Sequence, residues 1–230
     1  MEKEIAVVMR NQALQTNRWL GQYLLSLQAF EKAKPSFPET REDKAERTRF
    51  AKTQCDKIPG LDPLPAHAVH ERTYAPPFRW DKEYPKRLGS AIAGIFSIMG
   101  FQTLVFLPIY RGAKWVGDAS SDPQVHQAQA TILSLIPEKS FDGGVLVPLG
   151  LLDNWLLNLL TMTSESPELA RILFAVDDQA TAFHICQHGI LHQFFADEAM
   201  RRRFEESWLA HGFQEIDNCR GWVDAQPPPC

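Results

Sequence analysis

The chain has 230 residues, with 24 Lys and Arg against 28 Asp and Glu, a formal net charge of −4 and 44% hydrophobic residues. This is the composition of a globular protein able to bury a core. Its weak negative charge, with a pI of about 6.0, offers no broad attraction to nucleic-acid phosphates. The four cysteines, Cys55, Cys186, Cys219 and Cys230, include no C-x-x-C pair, which argues against a disulfide-held scaffold and a zinc knuckle. The first residues, MEKEIAVVMRNQ, lack the pattern of a secretory signal, so a cytoplasmic location is the default expectation.

Residues 5–32 read as a long amphipathic helix, with Met9, Ala13, Leu20, Leu24 and Leu27 near one face and Thr16 interrupting the seam. The run Ile5-Ala6-Val7-Val8-Met9 also reads as a short strand before a helix from about Asn11. Pro35 and Pro38 close this unit, and Thr40 with Asp43 caps a charged surface helix through about Ile58. Residues 1–58 are therefore expected to form an N-terminal helical arm. Residues 59–85 hold Pro59, Pro63, Pro65, Pro76, Pro77 and Pro85, which disfavour regular structure. Tyr74, Phe78, Trp80 and Tyr84 in the same stretch suggest a strap packed onto a domain.

An α/β domain is expected over residues 86–213. The uncharged run 88–110 is long enough to cross a bilayer. Its Ser90, Ser97, Gln102 and Thr103, with Gly100 and Pro108, favour a buried helix, a glycine stop and a strand over 103–109 instead. Gly89 and Ala93 thin one side of that helix for close approach to a sheet. The loop 110–121, with Arg111, Lys114 and Asp118, is longer than a typical connection. Asp122-Pro123 starts the next helix, which carries Val125, Ala128, Ile132 and Leu135.

Gly143-Gly144 leads into a strand over 145–149, and the helix over 153–162 is apolar nearly all round. After a turn at Ser166-Pro167 come a strand over 171–176 and helices over 180–188 and 197–211. The last helix buries Met200, Phe204 and Trp208, and Gly212 stops it. Its Arg201, Arg202 and Arg203 point in three directions and are screened by Glu198, Glu205 and Glu206. A tail, 214–230, follows, where Cys219 and Cys230 read as free thiols near a frayed end. This helix–strand rhythm implies an α/β fold: a three-layer-like sheet of mostly parallel strands covered by helices.

Chemistry is sparsely signalled. His184, His188 and His192 recur every four residues, so on a continuous helix they would form a stripe able to share a metal ion. Gly189 is expected to end that helix after His188, which leaves His184 and His188 as the metal candidates. Cys186 would point away from both. Asp177 and Asp178 would sit at a strand's C-terminal end, where parallel α/β sheets place ligands, with Arg111 following an earlier strand. No phosphate loop, dinucleotide fingerprint, metalloprotease helix or nucleophile elbow accompanies them, and no cofactor is implied. The expectation is a non-enzymatic accessory or adaptor protein that binds a protein partner, or a second copy, through its N-terminal helix. The alternative is a small-molecule or phosphate-handling enzyme with a metal-assisted site at Asp177, Asp178, Arg111 and His184.

Overall fold

In the core strands, successive residues fall alternately into two separate hydrophobic cores. Leu104 and Phe106 join one core, while Val105 and Leu107 join the other. This two-residue period identifies a sheet buried on both faces. The computed structural model describes every residue except 1–3, 34–39, 66–67, 80, 118–119, 139–140, 164–171, 177–178, 187, 218 and 220–230. Asp177, Asp178, Trp80, the turn at Ser166-Pro167 and Cys230 therefore lie outside the described residues.

Among the described residues one eight-stranded sheet forms. Its strands are β1 (Ala6–Val8), β2 (His70–Ala75), β3 (Thr103–Pro108), β4 (Gly144–Pro148), β5 (Ile172–Val176), β6 (Thr181–Ile185), β7 (Leu191–Phe195) and β8 (Gln214–Ile216). Their spatial order is β1-β4-β3-β5-β6-β7-β2-β8, and every neighbouring pair is antiparallel. The expected mostly parallel, three-layer sheet is thus corrected.

The helices are α1 (Arg10–Thr16), α2 (Arg18–Ala33), α3 (Arg41–Thr53), α4 (Tyr84–Ile98), α5 (Pro123–Leu133), α6 (Leu152–Thr163) and α7 (Glu198–Ala210). Helix α4 does carry the chain from β2 to a strand of the same direction, β3, as α6 carries it from β4 to β5. These partners are not neighbours, however. Strands β7, β6 and β5 lie between β2 and β3, and β3 itself lies between β4 and β5. Helix–strand alternation here gives strands of the same direction across α4 and α6 without making them neighbours, and each is paired with strands that run the other way. Between β3 and β4 the excursion through α5 leaves and re-enters at one end of the sheet, since Phe106 pairs with Val145.

Three further readings change. The segment 180–188 is the strand β6 and a turn, not a helix. The strap contributes β2, which pairs with both β7 and β8. The segment 5–32 divides into β1, α1 and α2: the strand-first reading matches β1, but the single helix expected after it is two. The break falls at Asn17. Its side-chain Oδ1 accepts from Leu20 N at 2.9 Å and its Nδ2 donates to Val176 O at 3.0 Å, so it caps α2 and ties the helix to β5. The run 88–110 forms most of α4, a turn at Gly100 with φ +81° and then β3. Among the described residues no helix is long and apolar enough to cross a membrane.

The larger core lies under α4, α5, α6 and α7. Phe106, Phe174 and Phe183 stack across β3, β5 and β6 with centroids 5.1 and 5.3 Å apart. Phe96 of α4 and Phe204 of α7 meet Phe183 edge-on. Removing one such ring costs about 3–5 kcal/mol in a well-packed core. The smaller core is Leu14, Leu20 and Leu24 of α1 and α2 against Val105, Leu107, Leu173, Ala175 and Ala182. The arm's apolar face is therefore packed on its own sheet. A buried ion pair locks it there. Arg10 donates to both oxygens of Asp56 at 2.8 Å and to Pro108 O at 2.7 Å, while Gln28 Nε2 also reaches Asp56 at 2.8 Å.

Candidate metal centre

Register decides which side chains meet. Trp208 Nε1 of α7 donates to Gln193 Oε1 at 3.2 Å, placing Gln193 on the larger-core face of β7. His192, its neighbour along the strand, faces the other way. It pairs with His184 on β6 and with Thr73 on β2, and Glu71 stands two residues from Thr73 on the same face. Helices α1 and α2 cover β3, β5 and β6 on this side. Over β7, β2 and β8 lies a cleft of about 380 Å³, lined by Glu71, Thr73, His192, Ile216, Asp217 and Cys219 among others.

Two turns bring in the sulfurs. Between β6 and β7, Gly189 N donates to Cys186 O at 2.8 Å and Cys186 N to Ile190 O at 3.0 Å. Gly189 has φ +70°, a backbone state that favours glycine, and the buried Tyr84 hydroxyl donates to its carbonyl at 2.9 Å. The turn that holds Cys186 is thus pinned from α4. At the other end, β8 pairs with β2 through Ile216 and Thr73, and the chain then presents Asp217 and Cys219 over the cleft.

The result is a cluster in which one ligand atom each from Cys186, His192 and Cys219 lies within 4.8 Å of the others. The two sulfurs are 3.9 Å apart, and Cys219 Sγ is 3.0 Å from His192 Nε2. On the other side of the ring, His192 Nδ1 meets Glu71 Oε1 at 2.7 Å. His188 Nδ1 is 3.9 Å from Cys186 Sγ, and the His184 ring lies 5.7 Å from that of His192.

The electrostatics favour charge separation. Burial works against a charged His192, but its hydrogen bonds to Cys186 and Glu71 and their negative charges carry it up to about 9. The hydrogen bond from Cys219 is the main force holding Cys186 down, to about 3, against the cost of burial and with further help from His192. Cys219 is correspondingly pushed up by sharing that hydrogen bond with Cys186. The two sulfurs share one proton and one negative charge beside an imidazolium.

This donor set fits a soft divalent ion. Thiolates about 2.3 Å from a tetrahedral zinc stand about 3.8 Å apart, close to the spacing of this pair. A carboxylate on the second nitrogen of a ligating histidine is the usual outer support of such a site. Two thiolates also neutralise a dication. Displacing the shared proton and drawing His192 Nε2 back from the 3.0 Å contact is the adjustment the ion would require.

Of the residues singled out from sequence, His184 and His188 do lie beside the centre, but the atoms that converge belong to Cys186, His192 and Cys219. Arg111 is elsewhere, paired with Asp142 at 3.4 Å, with its backbone N on Gln54 O at 3.1 Å. Asp177 and Asp178 lie outside the described residues. Glu71 and Cys219 gave no local signal, because their relation to His192 exists only through strand pairing. Comparison with protein-family models, curated proteins and solved structures returns no match.

Proposed function

We propose that the protein binds a zinc-type divalent ion through Cys186, His192 and Cys219, with Glu71 orienting His192 and the fourth coordination position facing the cleft. One observation carries this reading: a thiol and an imidazole nitrogen of the β6–β7 hairpin converge within 4.8 Å with the thiol of Cys219 from beyond β8. Three protein ligands beside an open cleft match catalytic zinc sites better than closed structural ones. A zinc ion there would supply Lewis acidity and a water activated near neutral pH. The reading is accordingly a metal-assisted, hydrolytic type of chemistry on a small ligand entering the cleft. This differs from the sequence-based alternative, which set a metal-assisted site at Asp177, Asp178, Arg111 and His184 on the strand ends of a parallel sheet.

The test is metal stoichiometry by native mass spectrometry, together with the absorption of the cobalt-substituted protein. One ion per chain and thiolate-to-cobalt charge-transfer bands are expected. Both should be lost in Cys186→Ser/Cys219→Ser, and the bands should shift in His192→Ala. Cobalt bound without thiolate bands, or zinc no tighter than to the double variant, would sink the idea.

A second reading is favoured by the short contacts at 3.0 and 2.7 Å, which set the Cys186–Cys219 pair, with its one shared thiolate charge, beside a His192 imidazolium oriented by Glu71, as a nucleophile and its counter-ion. In metal-free protein this predicts alkylation of the Cys186–Cys219 pair well ahead of Cys55, and abolition of that preference in His192→Ala. Binding of a protein partner through the N-terminal helix draws no comparable support. The apolar side of α2 packs on β3, β5 and β6, and that of α6 packs beneath α4 and α5.

A further inference from the structure

We propose that Cys186 and Cys219 form a dithiol that a hydroperoxide oxidises to an intramolecular disulfide, and that this disulfide and the metal exclude one another. The exclusion rests on the metal reading above; formation of the disulfide does not. Three features of the site carry the inference. The sulfurs are 3.9 Å apart with neither in a disulfide, so an approach of about 1.9 Å would bring them to the bond length of about 2.05 Å. Both cysteines are half-buried rather than sealed, and Cys219 lines the cleft through which a small peroxide arrives. His192 Nε2, 3.0 Å from Cys219 Sγ, is placed to give and take back the protons that the chemistry moves.

With the shared proton on Cys186, the Cys219 thiolate beside the His192 imidazolium attacks the terminal oxygen of the hydroperoxide. The O–O bond breaks, a sulfenic acid forms on Cys219, and the alcohol, or water from hydrogen peroxide, leaves with the proton from His192. The Cys186 thiol then passes its proton to His192 and attacks the Cys219 sulfur. The S–S bond forms, the S–O bond breaks, and water leaves with that proton. Two thiols and one hydroperoxide yield one disulfide, one alcohol and one water. The disulfide has no thiolate to offer, so a bound soft ion would lose two of its three ligands.

The experiment treats reduced full-length protein, metal-free and zinc-loaded, with hydrogen peroxide and maps cysteines by peptide mass spectrometry without reduction. A chromogenic chelator follows zinc in the loaded sample. In metal-free protein one equivalent of peroxide should remove two hydrogens, link the Cys186 and Cys219 peptides and be reversed by dithiothreitol. Cys186→Ser should stop at a sulfenic acid on Cys219 that dimedone traps. In loaded protein the same link should appear as one equivalent of zinc is released. Sulfinic acid without the link, or links through Cys55 or Cys230, would overturn the dithiol. Zinc retained while the link forms would overturn the exclusion. A link in protein that never binds zinc would refute the metal reading alone, whereas zinc binding without any link would refute the dithiol alone.

Discussion

Glu71 illustrates how much of the site depends on a side chain that touches no sulfur. Its carboxylate fixes the ring of His192 from Nδ1 at 2.7 Å and leaves Nε2 aimed at Cys219. Losing such an outer carboxylate lowers metal affinity about 10–100-fold in comparable sites. Glu71→Gln keeps an oxygen acceptor but removes the charge, so the lower end of that range is expected, and Glu71→Ala should fall near the upper end. Chelator competition reads both, with circular dichroism to show that the half-exposed residue does not unfold the sheet. Asp56 is the opposite case, a carboxylate that matters for stability. With Asp56 7% and Arg10 5% exposed, Asp56→Ala strands a guanidinium away from water, though Pro108 O still accepts from it. Breaking a buried pair in this way costs about 3–5 kcal/mol, to be read as a lower urea midpoint at unchanged slope. Neither residue was legible as important. Glu71 lies in a proline-rich stretch and Asp56 at the end of a charged helix, and their partners are 121 and 46 residues away.

Elements with local chemical signals were the readable ones. Thr40 and Asp43 form the expected capping box at α3, and Asp122 caps α5 by accepting from Gln124 N and Val125 N. Asp197 does the same for α7 through Met200 N. Arg201 binds Glu198 and Glu205, each at 2.6 Å, as the helical spacing implied. The segment 181–185 failed for a physical reason. It is buried on both faces, so its period of two is masked and its apolar run resembles a helix. That error turned His184, His188 and His192 into a helical stripe and aimed Cys186 away from the site it occupies. Gly189, read as a helix stop, is instead the φ +70° residue of the β6–β7 turn. Gly89 was read correctly as a point of close approach, but to a different neighbour. A Cβ there would stand 3.1 Å from Asp153 O and 3.2 Å from Leu156 Cβ of α6. Gly89→Ala must shift α4 by a few tenths of an ångström, and Gly89→Val by more. Overpacking of this kind costs about 1–3 kcal/mol. Thermal unfolding should rank wild type above Gly89→Ala above Gly89→Val, and equal midpoints would show that the two helices separate freely.

At the scale of the whole molecule, the helix–strand rhythm was legible but the sheet order was not. The reason is that β2 must reach past β7, β6 and β5 before β3 pairs, and no local signal records which strands slot between. The same order explains why the centre lies where it does. Strands β7, β2 and β8 end the sheet on one side, and β8 is a three-residue edge whose strand partner among the described residues is β2. An ion shared by Cys186, His192 and Cys219 would bridge the β6–β7 turn to the segment just beyond β8, closing that weak edge. Ligands that bind only the folded state stabilise it by mass action, about 2.7 kcal/mol when free metal is a hundred times its dissociation constant. Zinc at that excess should therefore raise the unfolding midpoint of the wild type and leave Cys186→Ser/Cys219→Ser where it was. The gain should also be uneven. Amide exchange should slow in β8, β2 and the turn at Gly189, whose openings expose a ligand, and change least beneath α4 and α6, where exchange already requires global unfolding. Uniform slowing, or a stabilisation that persists in the double variant, would place the ion somewhere other than this edge.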